Sequence, residues 1–275
     1  MLKITTRIWN EPKDLIRNIE NAITLGLPEL TPADEHDRRM VIAGFAPSLR
    51  DHVDEIVEKK ARGDLVVCVN GAHDWLIERG IVPDMCVLLD AWEGMKDLVK
   101  PHKEVHYFVA SQCPASLFDY LKGYRVTLWH SYVNKEQTGF SVQELIDKDG
   151  PKSWIVYGGC TAALRCLNLG YLLGYRRFTY FGVDSSFPKP NEHYVGPCFE
   201  GDDEESKKLW EEIDVKYGGR NFLSTIGLTA QAEQFERFFM VEFNKCKIRV
   251  VGEGLIPYVY QTLSRLKYGQ ELTDV

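Results

Sequence analysis

Apolar residues along this chain arrive in short runs, and most of the runs show no polar alternation. MVIAG (40–44), DLVVCVN (64–70), MCVLLD (85–90), VHYFVAS (105–111), RVTLWH (125–130), SWIVYGG (153–159) and RFTYFGVD (177–184) each read as a strand. Runs of this length without alternation suit strands buried on both faces, as in a parallel sheet. Between them the period changes to that of a helix. Ser48–Lys60 places Leu49, Val53 and Ile56 on one side, Ala72–Arg79 is short, a helix starts near Pro114, and Thr161–Leu173 is closed by Gly174. Strands alternating with helices predict βα units and an α/β fold of Rossmann-like type, with a mainly parallel sheet flanked by helices.

The ends of the chain depart from this rhythm. Residues 11–24 predict a helix with Leu15, Ile16, Ile19 and Ile23 on one face, and residues 26–38 form a charged, proline-bearing connector. Residues 131–152 are polar and irregular. Residues 185–227 are rich in proline and glycine and carry an acidic helix, GDDEESKKLWEEI. Leu228–Cys246 predicts a long helix, KIRVV (247–251) a last strand, and a helix follows. The expected organisation is an N-terminal helix and connector over 1–38 and a Rossmann-like domain over 39–275. That domain divides into a core at 39–200 and a helical C-terminal part at 201–275.

Composition narrows the function classes. A net charge of −7 argues against nucleic acid as a partner, because phosphate backbones require a basic face. The 7 cysteines contain no Cys-x-x-Cys pair and predict free, mostly buried thiols in a reducing compartment rather than a disulfide framework, with little support for a structural zinc site. No apolar run approaches the ~20 residues of a membrane span, and MLKITTRIWNEPKD is unlike a signal peptide. A soluble, cytoplasmic protein is expected.

In an open parallel sheet, ligands bind beyond the C-terminal ends of the strands. Here those ends read Gly44-Phe45-Ala46-Pro47-Ser48, Asn70-Gly71, Asp90, Gly158-Gly159-Cys160-Thr161 and Asp184-Ser185-Ser186. Each admits a plain reading. Gly44 releases a strand, Ser48 caps a helix with Asp51 at capping-box spacing, Asn70-Gly71 is a turn, and Asp184 caps a turn. Gly158 and Gly159 serve either close helix–sheet packing or close approach of a ligand. Taken together the five ends form a polar rim for a nucleotide, with Asp90 and Asp184 able to hold ribose hydroxyls or a divalent cation. No dinucleotide fingerprint, Walker loop or nucleophile elbow occurs. His193, in Asn191-Glu192-His193-Tyr194-Val195-Gly196, reads either as a surface histidine or as a general base. The acidic run at 200–206 reads as a solvated helix start.

IAGFAPSL, VVCVNGAHDWLIERGIVPDMCVLLDA and GGCTAALRCLNLGYLLGYRRFTYFGVD, in this order, resemble the MptE-like domain family. That family includes archaeal 6-hydroxymethylpterin diphosphokinase and bacterial motility accessory factors implicated in flagellin glycosylation. The same order is similar to bacterial CMP-sialic-acid sialyltransferases. The resemblance spans roughly residues 39–200 and implies an enzyme of the transferase class. Gly44, Pro47 and Ser48 match the sialyltransferases' nucleotide loop, and Asn70 matches a nucleotide-contacting asparagine. His193-Tyr194-Val195-Gly196 looks like the segment carrying their catalytic histidine. Phe45 and Ala46 depart from that loop, and Asp90 stands where an asparagine is expected.

Two reactions follow from the resemblance. One is glycosyl transfer from a CMP-type nucleotide-sugar, with His193 as base. The other is pyrophosphoryl transfer from ATP, with Mg²⁺ as cofactor on Asp90 and Asp184. A non-catalytic nucleotide-binding or assembly module is a third reading, with Phe45 as its sign. The expected partners are a nucleotide or nucleotide-sugar and an unassigned acceptor, and the fold admits an oligomer.

Overall fold

The computed structural model describes residues 10–147, 153–196, 210–241 and 245–268. Cys198, the acidic run at 200–206 and most of the expected acidic helix lie outside the described residues. The described strands are β1 (Arg39–Ala43), β2 (Leu65–Val69), β3 (Met85–Leu88), β4 (His106–Ala110), β5 (Arg125–Ser131), β6 (Ile155–Val156), β7 (Arg177–Phe181), β8 (Ile213–Tyr217), β9 (Arg220–Ser224) and β10 (Lys247–Val250). The fold is Rossmann-like α/β, with mainly parallel strands and helices at both ends of the chain. The chain forms two compact units. One contains His36–Val66 and the described residues from Tyr175 onward. The other contains the described residues up to Glu35, together with Val67–Gly174.

In the first unit β7 lies between β1 and β10, parallel to both, in register Arg39↔Arg177 and Lys247↔Arg177. Phe178, Tyr180 and Phe181 of β7 are buried, as expected of a strand covered on both faces. The helix expected from Ser48 begins as a 3₁₀ turn, Pro47–His52, and becomes α-helical only at Val53–Ala61. Pro47 supplies the fixed φ suited to a helix start. Helices Ile226–Val241 and Leu255–Tyr268 complete this unit.

The region expected to be irregular up to residue 227 contains an antiparallel hairpin, β8–β9, in register Ile213↔Ser224 through Tyr217↔Arg220. Its turn is Gly218-Gly219, with φ of 54° and 85°. Two positive φ values in succession give the turn whose twist matches that of a hairpin, and glycine adopts them without strain.

In the second unit β2, β3, β4, β5 and β6 pair in that order, all parallel. The expected strand at 153–159 is cut to two residues because Gly158 and Gly159 take φ of 110° and 95°, outside strand geometry. Where β6 is absent, the connector lies along β5. Leu30 N–H donates to Leu128 O at 2.8 Å, and Leu128 N–H donates to Pro28 O at 2.8 Å. The N-terminal helix, Pro12–Ile23, buries Leu15 and Ile19 against Phe140 and Val142 of this unit. The stretch expected to be irregular at 131–152 contains two short helices, Lys135–Thr138 and Val142–Ile146. Cys68, Cys86, Cys113 and Cys166 are buried thiols. No described helix is long and apolar enough to cross a membrane.

Candidate functional site

In the first unit, the end of β1 and the end of β7 nearly touch. A Cβ on Gly44 would lie 2.2 Å from Gly182 O and 2.8 Å from Val183 Cγ2, so only glycine fits. Pro47 is buried at the start of the 3₁₀ turn. Ser48 does not cap the turn with its side chain. It donates twice to Asp184, from N–H to Oδ2 at 3.0 Å and from Oγ to Oδ1 at 2.5 Å. Gly252 and Gly254 close over Asp184: a Cβ on Gly254 would lie 2.4 Å from Asp184 Cβ. Burial raises the Asp184 carboxyl to about 6, and the two Ser48 bonds pull the other way. Gly44, Ser48 and Asp184 thus come together as a clasp between strand ends, with both carboxyl oxygens engaged.

His193 is buried in the same unit. Its Nε2 lies 2.9 Å from Glu212 Oε1, which also accepts the Asn191 N–H at 2.6 Å. Those bonds hold Glu212 below the usual carboxylate range, with the Asn191 N–H contributing most. Phe187 packs on the imidazole at 4.2 Å between centroids, and Trp210 stacks at 5.5 Å and 19°. A carboxylate on Nε2 selects the Nε2–H tautomer, in which Nδ1 carries the lone pair.

The structure also accounts for Phe45. Its ring stacks on Tyr194 at 5.6 Å, its carbonyl accepts the Val195 N–H at 3.1 Å, and Arg50 pairs with Glu192 at 2.6 Å. Phe45 is therefore the seat of the His193 loop.

In the second unit, Asn70 sits at the end of β2 in left-handed backbone, φ 47°. Its side chain hydrogen-bonds the Asp90 carboxyl, and its Oδ1 is buried without a partner. Solvent reaches the Asp90 residue. Dense packing around the carboxyl nevertheless raises its pKa, against the pull of the Asn70 bond and the Arg165 charge. Thr161 caps the helix Ala162–Leu172, its Oγ1 accepting the Leu164 N–H at 3.4 Å. Gly158 packs against that helix, where a Cβ would meet Asn168 Nδ2 at 3.0 Å.

Arg165 and Gln112 were not singled out from sequence. Arg165 donates from Nη1 to Val156 O at 2.7 Å and from Nη2 to Tyr132 O at 2.9 Å, while its Nε is buried and unbonded. Burial lowers its pKa to about 10, with Cys160 and Asp90 opposing. Gln112, just past β4, also buries an unpartnered side-chain oxygen. An arginine inside an apolar helix, LRCLNL, was the available signal, since a buried guanidinium must find partners. Asn70, Asp90 and Gln112 follow neighbouring strands β2, β3 and β4. Asp90 and Arg165 interact electrostatically. Among the described residues no cluster of three His, Cys, Asp or Glu could hold a metal ion.

The chain also resembles solved structures. A MAf glycosyltransferase from Magnetospirillum magneticum AMB-1 superposes with a TM-score of 0.61 at 13% identity, covering 94% of this chain and 42% of that one. This chain therefore spans less than half the length of that protein. A mammalian sialyltransferase in complex with Gal-beta-1-3GalNAc-ortho-nitrophenol gives a TM-score of 0.39 at 12% identity, covering 88% of this chain and 79% of that one. No curated protein matches the sequence. The family model described as 6-hydroxymethylpterin diphosphokinase MptE-like matches residues 13–190, more than half of the chain. With that match over most of its length, the chain belongs to the MptE-like family.

Proposed function

We propose that the protein is a nucleotide-dependent transferase that moves a glycosyl group from a CMP-type nucleotide-sugar. One observation carries this reading: the buried, unpartnered Asn70 Oδ1 beside the Asp90 carboxyl. Leaving such an acceptor unmet costs roughly 1–3 kcal/mol, and a ligand hydroxyl or amine removes that cost on binding. In this reading Asn70 and Asp90 hold the nucleoside. The N–H groups that open helix Ala162–Leu172, with the Arg165 charge behind them, hold the phosphate. In the first unit, His193 is the candidate general base, and Glu212 keeps its ring oriented. Membership of a family described by a diphosphokinase, and a fold shared with a glycosyltransferase, both support a transferase.

Asp90, a solvent-reached carboxyl at a strand end, suits a second reading, Mg²⁺-assisted pyrophosphoryl transfer. Mg²⁺ uses one or two carboxylates plus substrate phosphates, and a cation would hold Asp90 ionised. Asp184 is less available for this role, because Ser48 engages both of its oxygens. The binding-module reading loses its sign, since Phe45 has a structural use.

A thermal-shift panel of CMP, CDP, UDP, GDP and ATP, with and without Mg²⁺, separates the three. Stabilisation by cytidine nucleotides without metal is expected. ATP acting only with Mg²⁺ would favour the diphosphokinase, and no shift with any nucleotide would refute both transferase readings. His193→Ala is expected to abolish turnover and leave nucleotide binding intact; retained turnover would remove His193 as base.

A further inference from the structure

Tyr132 and Tyr157 stand at the C-terminal ends of β5 and β6 in the second unit. Their rings stack at 4.6 Å and 25°, and they remain 40% and 52% exposed. Exposed aromatic rings adjoining a polar site mark binding surfaces rather than core. The pair is anchored, because Arg165 donates to the Tyr132 carbonyl and to the Val156 carbonyl one residue before Tyr157. The same guanidinium acts electrostatically on Asp90. The rings are thus tied to the candidate nucleotide site by one side chain.

We propose that the Tyr132–Tyr157 pair is a platform on which a pyranose ring stacks. This deepens the transferase reading and rests on it. The apolar C–H face of a sugar carries slight positive charge and meets the negative face of an aromatic ring. Position favours a sugar over the nucleobase. Asn70 follows β2 and Tyr157 follows β6, four strand spacings apart, or roughly 19 Å. That span is longer than a nucleoside monophosphate with its base at Asn70. What lies beyond the phosphate on a nucleotide-sugar substrate is a sugar, either the donor's own or that of a glycan acceptor. The openness of the rings also suits a sugar that continues into a chain, whereas a base is normally enclosed.

Saturation-transfer NMR on the full chain tests this, using CMP, CMP-N-acetylneuraminic acid, free N-acetylneuraminic acid, methyl β-galactoside and N-acetyllactosamine as probes. In the wild type, sugar ring protons of at least one probe should receive saturation. Tyr157→Ala and Tyr132→Ala should weaken that probe about 3- to 10-fold while CMP binds unchanged, and Tyr157→Trp should retain the contact. A loss confined to the CMP-linked sugar assigns the platform to the donor, and a loss with a free glycan assigns it to the acceptor. The proposal is overturned if sugar contacts survive both alanine variants, if a CMP-binding wild type touches no sugar, or if the variants lose CMP equally. A wild type that binds no nucleotide overturns the transferase reading instead. In that case, sugar binding lost in Tyr157→Ala would still uphold the platform.

Discussion

Asp184→Asn separates the clasp role of Asp184 from its charge. The carboxyl is buried, and its pKa rises from 3.8 to about 6 in the folded state. A raised acid favours its neutral form in the fold. Its ionisation therefore costs nothing below pH 3.8, and the cost grows as pH rises toward 6. At 1.36 kcal/mol per pK unit, the full cost above pH 6 is about 3 kcal/mol. Asparagine has the same shape and no charge. Its oxygen can accept the Ser48 N–H, and its NH₂ can donate to a rotated Ser48 hydroxyl. Urea unfolding of wild type and variant between pH 4.5 and 7.5 isolates the effect, because other groups titrate alike in both. The variant should gain about 2 kcal/mol relative to wild type over that interval. A difference that stays flat with pH, or a wild type that gains on the variant as pH rises, would refute the argument.

Other perturbations have equally definite outcomes. Gly44→Ala places a methyl 2.2 Å from Gly182 O and should cost about 2 kcal/mol or more, read as a lowered melting temperature. Phe45→Ala removes the ring under Tyr194, about 1 kcal/mol of stacking, and should speed hydrogen exchange at the Val195 amide. Glu212→Gln should lower turnover at least about tenfold without weakening nucleotide binding, measured by initial rates beside a binding isotherm.

The α/β class was legible because buried parallel strands read as unbroken apolar runs, and β4 and β7 follow that pattern closely. The β8–β9 hairpin also carried a signal, Gly-Gly between two alternating stretches. The charges of the preceding acidic run, which favour a helix, mask it. At the site, sequence position indicated which residues end strands but not what their side chains do. Ser48 looked like a cap, yet its partner lies 136 positions away. Asp90 and Asp184 look equivalent in sequence. The fold gives one a neighbouring arginine and an asparagine, and the other a serine clasp. Glu212 had no local signal, since its importance comes from a histidine loop elsewhere in the chain, and Arg165 had only its place inside an apolar helix, its partners being strand ends contributed by other parts of the chain.

Calorimetric titration of CMP, without metal, into wild type and Asn70→Gly tests the central claim most directly. Glycine suits the φ of 47° at that position, so the fold is preserved while the unpartnered oxygen is removed. The account predicts saturable binding to the wild type and at least a tenfold loss in the variant. Equal affinity in the two proteins, or no binding of CMP to the wild type, would contradict it.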